Sequence, residues 1–458
     1  MKHNLKLQNA LIVGASYVFY GWWDWRFLSL IIFSTLLDYS IGRRLDSEEN
    51  NRVRKTLLWT SVVINLGFLG VFKYYNFFLD NFIAAFSILG KEIQPHSLNI
   101  ILPVGISFYT FQTLSYTIDV YKKKLEPTKD FIAFAAFVCF FPQLVAGPIE
   151  RATNLLPQFY RDRVFEYDKA VDGMRQILWG LFKKVVIADN CAEYANLIFN
   201  DYQNCNGSTL LLGAIFFTFQ IYGDFSGYSD IAIGTSRLFG FNLRQNFATP
   251  YFSRDIAEFW RRWHMSLSTW FRDYLYIPLG GSRGGVWMKV RNTFIIFLVS
   301  GFWHGANWTF IIWGGLNALY FLPLLLLKRN RTNLMVVAEG RTMPSVREII
   351  QMGVTFFLTV VAWVFFRAES ISSATGYLRG IVHKSLFYAP MFSGRFHALI
   401  VMLFIASLLI VEWINRAESF GLAQTPKNRV QRYFVYYSIV GAIIFNSGAK
   451  QEFIYFQF

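Results

Sequence analysis

Charge is scarce in this 458-residue chain, in which Asp, Glu, Lys and Arg together supply 16% of the residues. A soluble globular chain runs near a quarter charged. Polar linkers and low-complexity stretches are lacking as well. These shortages exclude disorder, coiled coil and fibrous repeats, and they nearly exclude an ordinary soluble enzyme. Cysteine is down to three residues, Cys139, Cys191 and Cys205, with no CxxC spacing. That supports neither a disulfide framework nor a cysteine zinc site. No internal repeat is visible, whereas many transporters are built from two related halves. The glycine run Gly280–Gly285 lacks the lysine and Ser/Thr of a phosphate-binding loop. Its letters match GxSxG, but a helix pattern and Pro278 precede it instead of a strand, so it reads as a plain glycine loop.

What is present is apolar: 54% of the residues are hydrophobic, and aromatic residues alone make up 19% of the chain. The composition predicts an all-α polytopic integral membrane protein, read as one domain over residues 1–458. Apolar runs lie at 8–22, 26–41, 56–73, 75–90, 99–119, 130–147, 174–198, 209–236, 293–303, 306–327, 351–366, 396–415 and 433–447. About ten to twelve crossings are expected, since a span needs roughly 20 apolar residues. Segments such as 99–119 and 293–303 are expected to be re-entrant or half-spans. Met1–Trp23 reads as an uncleaved first span rather than a secretory signal. The net charge of +15 collects in short loops: Arg43, Arg44, Arg52, Arg54 and Lys55; Lys122, Lys123, Lys124 and Lys129; Lys328, Arg329 and Arg331. Such loops face the cytoplasm and anionic lipid, so nucleic acid is not the expected partner.

Residues 250–292 break the apolar pattern. Within them, helical periodicity predicts one amphipathic helix over 254–276. Trp260, Trp263, Leu267, Trp270, Phe271 and Tyr274 share one face; Arg254, Glu258, Arg261, Ser268, Thr269 and Arg272 share the other. Such a helix lies in the headgroup plane or lines a cavity mouth.

Six histidines are present. His304 stands apart because it sits between two apolar runs, in Ser300-Gly301-Phe302-Trp303-His304-Gly305-Ala306-Asn307-Trp308. An ionisable group at that depth is either a proton-transfer group or a neutral, hydrogen-bonded core histidine. His264, at the edge of the aromatic face, reads from placement as an interfacial side chain. A zinc site shared by the two is weak without further ligands. Asp224 and Asp230 form a polar patch in an apolar run; acid–base work, an ion site and pairing with a basic residue of a neighbouring helix all fit.

Three long segments then carry a resemblance: Arg261-Arg262-Trp263-His264-Met265-Ser266-Leu267-Ser268, Phe271-Arg272-Asp273-Tyr274-Leu275-Tyr276-Ile277-Pro278-Leu279-Gly280-Gly281, and Gly301 through Trp308. Upstream, Leu102 to Gln112, Phe141 to Ile149 and Tyr222 to Asp230 fit too. The sequence resembles the membrane-bound O-acyltransferase family over essentially its whole length. It is most similar to the bacterial branch typified by the alginate O-acetyltransferase membrane subunit.

The resemblance implies a fold of helices around a channel in the bacterial cytoplasmic (inner) membrane. His304 corresponds to the family's catalytic histidine, a general base, and His264 to a second histidine that positions or polarises a substrate. No metal and no permanently bound cofactor is implied. Acetyl-CoA or another acyl thioester is the implied co-substrate, and Arg261, Arg262 and Arg272 are candidates for its phosphates, with lipid headgroups as the competing partner. Asp273, Trp303 and Asn307 fall in the same motifs and are counted as candidate binding residues. The aromatic segment 451–458 is expected to present the Tyr455 hydroxyl as an acyl relay; an interfacial anchor is the plain alternative. An SGNH-type extracytoplasmic acyltransferase and a polysaccharide acceptor are the implied partners. D-alanyl transfer to teichoic acid is the nearest alternative, and a proton-coupled transporter is the alternative from another class.

Overall fold

Helices make up every regular element among the residues described, 4–88, 103–449 and 451–454, in the computed structural model. The sequence offers one uninterrupted membrane domain; the chain divides into two units, Met1–Lys169 with Ser236–Arg244, and Ala170–Thr235 with Gln245–Phe458.

The first unit opens with α1 (Leu5–Ser47), which bends where Asp24 leaves helical geometry at φ −158° and ψ 109°. The Asp24 carboxylate accepts from the Arg26 backbone N–H at 2.9 Å. The apolar runs 8–22 and 26–41 are thus the two arms of one bent helix. A π-helical turn, Gly70–Tyr74, joins α2 (Asn51–Leu69) to α3 (Tyr75–Ile88). The expected runs 56–73 and 75–90 therefore form one continuous rod over Asn51–Ser87, because no proline interrupts the helix between them. α4 (Ile106–Tyr121) and α5 (Phe131–Cys139) pack against α1, followed by the single turns α6 (Phe141–Leu144) and α7 (Ala152–Leu155). Buried Asp38 of α1 accepts from Thr117 of α4 at 2.9 Å and from Asn65 of α2 at 2.9 Å, so one carboxylate ties three helices. Arg54 reaches the Tyr121 carbonyl at 3.0 Å. That bond brings the basic loop after α1 and the lysines after α4 to the same end, as the positive-inside rule requires. Gln143 donates to Gln112 at 2.7 Å, so the two upstream motif segments meet.

The second unit holds α8 (Tyr167–Leu181) from Ala170 onward, a π-helical turn Phe182–Ala188, α9 (Asp189–Asn200) and α10 (Gly207–Leu238) as far as Thr235. Then come α11 (Ile256–Arg262), α12 (Met265–Phe271), α13 (Val286–His304), α14 (Trp308–Leu326), α15 (Val346–Arg367), α16 (Ile371–Ile381), α17 (Arg395–Ile414) and α18 (Arg429–Phe445). α10 is the interior helix: 83% of its apolar window is buried, against 28% for α17. Gly227 of α10 lies so close to α8 that a Cβ there would sit 2.8 Å from the Gly180 carbonyl oxygen. Such small-residue contacts let membrane helices approach closely.

Among the described residues, five helical segments are long and apolar enough to cross a bilayer: Asn51–Ser87, α10, α14, α15 and α17. The expected half-span 293–303 is the inner part of the 19-residue α13, whose first turns carry Lys289 and Arg291.

Candidate active site

The stretch read as one amphipathic helix over 254–276 is broken. α11 ends at Arg262, Trp263 is extended, and His264 takes the left-handed conformation at φ 43° and ψ 54° before α12 begins. A non-glycine residue there holds backbone strain on the order of 1–3 kcal/mol and persists only where its surroundings dictate it. Here Asn246 dictates it. Its carbonyl oxygen accepts from Met265 N–H at 2.9 Å, and its side-chain oxygen accepts from the Ser266 hydroxyl at 2.9 Å. Its amide nitrogen donates to Ser229 of α10 at 3.0 Å. Ala248 N–H completes the lacing with a 3.0 Å bond to the Arg262 carbonyl. The two-faced reading fails with the helix: Glu258, expected on the outer face, is 1% exposed, as is Trp263. Burial of Glu258 is tolerable because Arg254 and Arg262 each pair with it at 3.0 Å.

The break turns His264 inward to meet His304, the last residue of α13. The two rings lie 6.5 Å apart between centroids, and both residues are buried. Aromatic rings enclose them. Phe225 stands 4.6 Å from His264, while Trp303, Trp313 and Phe366 stand 4.9, 5.1 and 5.3 Å from His304. His264 lies outside the spanning helices, and burial pushes its pKa down to about 3, so the ring is neutral at physiological pH. α14 fixes the end of α13. A Cβ on Gly301 would strike the Phe310 carbonyl oxygen, so only glycine permits this approach.

A cavity of about 490 Å³ lies alongside. Its walls include Leu267, Ser268 and Phe271 of α12 and Thr293, Ile296, Phe297 and Ser300 of α13. On each helix these positions form a stripe at three- and four-residue spacing. His264 immediately precedes α12, and His304 ends α13 four residues after Ser300. Asn330 and Arg331, in the third basic loop, line the same cavity.

The arginines divide. Arg261 and Arg272 line the cavity. Arg261 donates to the carbonyls of Asn330 and Asn333 at 2.8 and 2.7 Å, and Arg272 pairs with Asp273 at 2.7 Å while remaining 58% exposed. Arg262 is instead engaged by Glu258 and by the Ala248 carbonyl, outside the cavity lining. Asn307 caps α14 through Thr309 N–H at 3.0 Å and donates to the Glu369 carbonyl at 3.0 Å. Trp303 is a wall of the histidine box. Asp224 and Asp230 pair with Lys184 and Lys183 at 2.7 and 2.6 Å, the ion-pair reading of that patch. Tyr455 lies outside the described residues. Sequence reasoning missed Asn246, whose backbone role leaves no mark in composition. It also passed over Lys183 and Lys184, although two lysines in the apolar run 174–198 were a signal complementary to the two aspartates.

A family model described as MBOAT, membrane-bound O-acyltransferase family, matches residues 18–366. The chain is similar to a probable alginate O-acetylase of Pseudomonas aeruginosa, 44% identical over 81% of this chain and 68% of that protein. It is similar to a peptidoglycan O-acetyltransferase of Helicobacter pylori, 36% identical over 81% of this chain and 73% of that protein. A teichoic acid D-alanyltransferase of Bacillus subtilis is 30% identical over 48% of this chain and 59% of its own.

Proposed function

The chain belongs to the membrane-bound O-acyltransferase family, and from that premise we propose that it passes an acetyl group from a cytoplasmic thioester toward an extracytoplasmic polysaccharide. The observation that carries this reading is the buried His264–His304 pair, boxed by aromatic rings at the start of α12 and the end of α13, two helices that also line the cavity. The two most similar relatives named above are O-acetylating enzymes, which favours acetyl over D-alanyl.

His304 is the general base. It takes the proton of the attacking hydroxyl as the hydroxyl oxygen bonds to the thioester carbonyl carbon. The tetrahedral adduct collapses, the C–S bond breaks, and the thiolate leaves with the electron pair and recovers the proton from His304. A positioned base of this kind contributes about 10²–10⁴-fold. Neutral His264 can donate one ring N–H toward developing negative charge, and the aromatic walls keep water from competing. Arg261 and Arg272 receive the donor's phosphates at the cavity, whose rim includes the basic loop expected to face the cytoplasm. Tyr455 follows Ile454 directly in the chain, and the Tyr455 hydroxyl is the proposed acyl relay; a phenoxide leaves more readily than an alkoxide. An SGNH-type partner then completes transfer outside the cytoplasmic membrane.

The test uses the purified full chain in nanodiscs with acetyl-CoA labelled in the acetyl group. Wild type is expected to transfer label and His304→Ala to lose transfer while remaining assembled. Retained transfer by His304→Ala overturns the base assignment. Turnover of a D-alanyl thioester carrier in place of acetyl-CoA overturns the acetyl assignment, and substrate flux without acylated product overturns the transferase reading.

A further inference from the structure

A segment that follows the last helix of a domain usually frays. Residues 446–449 and 451–454, after α18, instead run into the interior of the second unit. Asn190 donates to the Asn446 carbonyl at 2.9 Å. Lys184 lies 2.8 Å from Asp189 and 2.7 Å from Asp224, and it also donates to the Gln451 carbonyl at 3.4 Å. The second oxygen of Asp224 accepts the Ile454 N–H at 2.7 Å. Phe453 and Ile454 are buried as a result, at 2% and 1% exposure.

The ion pairs lead straight to the histidine box. On α10, Tyr228 lies four residues after Asp224 and three after Phe225, so its ring neighbours both. Phe453 packs against Tyr228 at 4.4 Å and against Phe225 at 6.1 Å. Phe225 in turn meets the His264 ring edge-on at 4.6 Å. The Lys184 ammonium lies 5.8 Å from the Tyr228 ring centroid, so charge and ring stack belong to one cluster.

We infer that Lys184 and Asp224 are positioning residues for the acyl-transfer site: a latch that seats residues 451–454 behind Phe225 and so sets the wall against His264. The inference rests on the reading of His264 and His304 as that site. A carboxylate with one oxygen on a lysine and the other on a backbone N–H holds both partners in a fixed direction, and a charge-assisted bond of this kind is the strong sort. A pair that only joined α10 to the neighbouring π-helical turn would need no chain segment at its second oxygen.

The test uses the full chain in nanodiscs. Ile454→Pro removes the N–H that Asp224 receives and lies outside α8–α18. Ile454→Ala keeps that N–H. Asp224→Ala removes the acceptor. Amide hydrogen exchange over 446–454 is read by mass spectrometry beside acetyl transfer from acetyl-CoA. Ile454→Pro and Asp224→Ala are expected to speed exchange of this segment at least tenfold and to lower kcat at least tenfold. KM for acetyl-CoA and exchange in α13 and α14 are expected to stay within twofold. Ile454→Ala is expected to exchange as wild type does. Unchanged exchange in Ile454→Pro overturns the latch, and so does fast exchange with kcat intact or equal effects from Ile454→Ala. If Asp224→Ala does not assemble, Ile454→Pro decides alone. Full activity in His304→Ala sinks the site reading instead, and the exchange data still judge the latch.

Discussion

His264 and His304 face each other at 6.5 Å although they come from different helices, one from a left-handed break and the other from a helix end. Their different settings predict different losses. His304→Ala is expected to reduce kcat by about 10²–10⁴-fold, the range for a positioned base. His264→Ala removes one polarising donor and is expected to fall short of the His304→Ala loss. Steady-state acetyl transfer by the two variants checks the order.

Asn246 predicts a stability effect without direct contact to substrate. Asn246→Ala leaves Ser266 and Ser229 without their buried partner, a loss of about 1–3 kcal/mol. The variant is expected to melt at lower temperature in detergent, with the His264 break less ordered. A thermal scan of the purified protein measures it.

Two glycines separate close packing from open space. Gly301→Ala places a methyl on the Phe310 carbonyl and is expected to destabilise by about 1–3 kcal/mol. Gly353→Ala in α15 meets no atom within 4 Å and is expected to be neutral or stabilising by up to about 1 kcal/mol. The melting temperature should fall for Gly301→Ala and hold or rise for Gly353→Ala.

The arginines predict a split in kinetics. Arg272→Ala and Arg261→Ala are expected to raise KM for acetyl-CoA several-fold, an effect that fades as salt screens the phosphates. Arg262→Ala leaves Glu258 with Arg254 alone and is expected to lower the melting temperature more than it raises KM. Initial rates at low and high ionic strength, beside melting curves, distinguish the two classes.

His264 also predicts a pH dependence of stability. Burial lowers its pKa from the ordinary 6.5 to about 3, so below pH 6.5 the unfolded chain binds a proton that the folded chain does not. Folding stability is therefore complete above pH 6.5 and is lost as pH falls toward 3, by at most about 1.4 kcal/mol per pH unit. His264→Gln is expected to flatten that acid slope in equilibrium unfolding. An unchanged slope would place the titration elsewhere.

Membrane class was legible from residue counts, because an apolar excess with little charge has one stable solvent, the bilayer. His304 was legible as well: an imidazole between two apolar runs is expensive wherever those runs go. The motifs named the family. The continuous helix over 254–276 was misread because periodicity is blind to a single backbone reversal. Asn246 makes that reversal from outside the stretch. The charged face was misread for a related reason. Glu258 looks solvated in a helical projection, yet it is buried between Arg254 and Arg262.

The sequence by itself determined the solvent, the helical class and which two histidines stand in the family's motifs, since hydropathy and motif are properties of order along the chain. Only the tertiary structure decided which groups those histidines meet, which arginines line the cavity, and that Asp224 and Lys184 hold residues 451–454. Those outcomes depend on which helices approach and how closely. A contact such as Gly227 against Gly180 sets that approach through space, and no spacing along the chain encodes it.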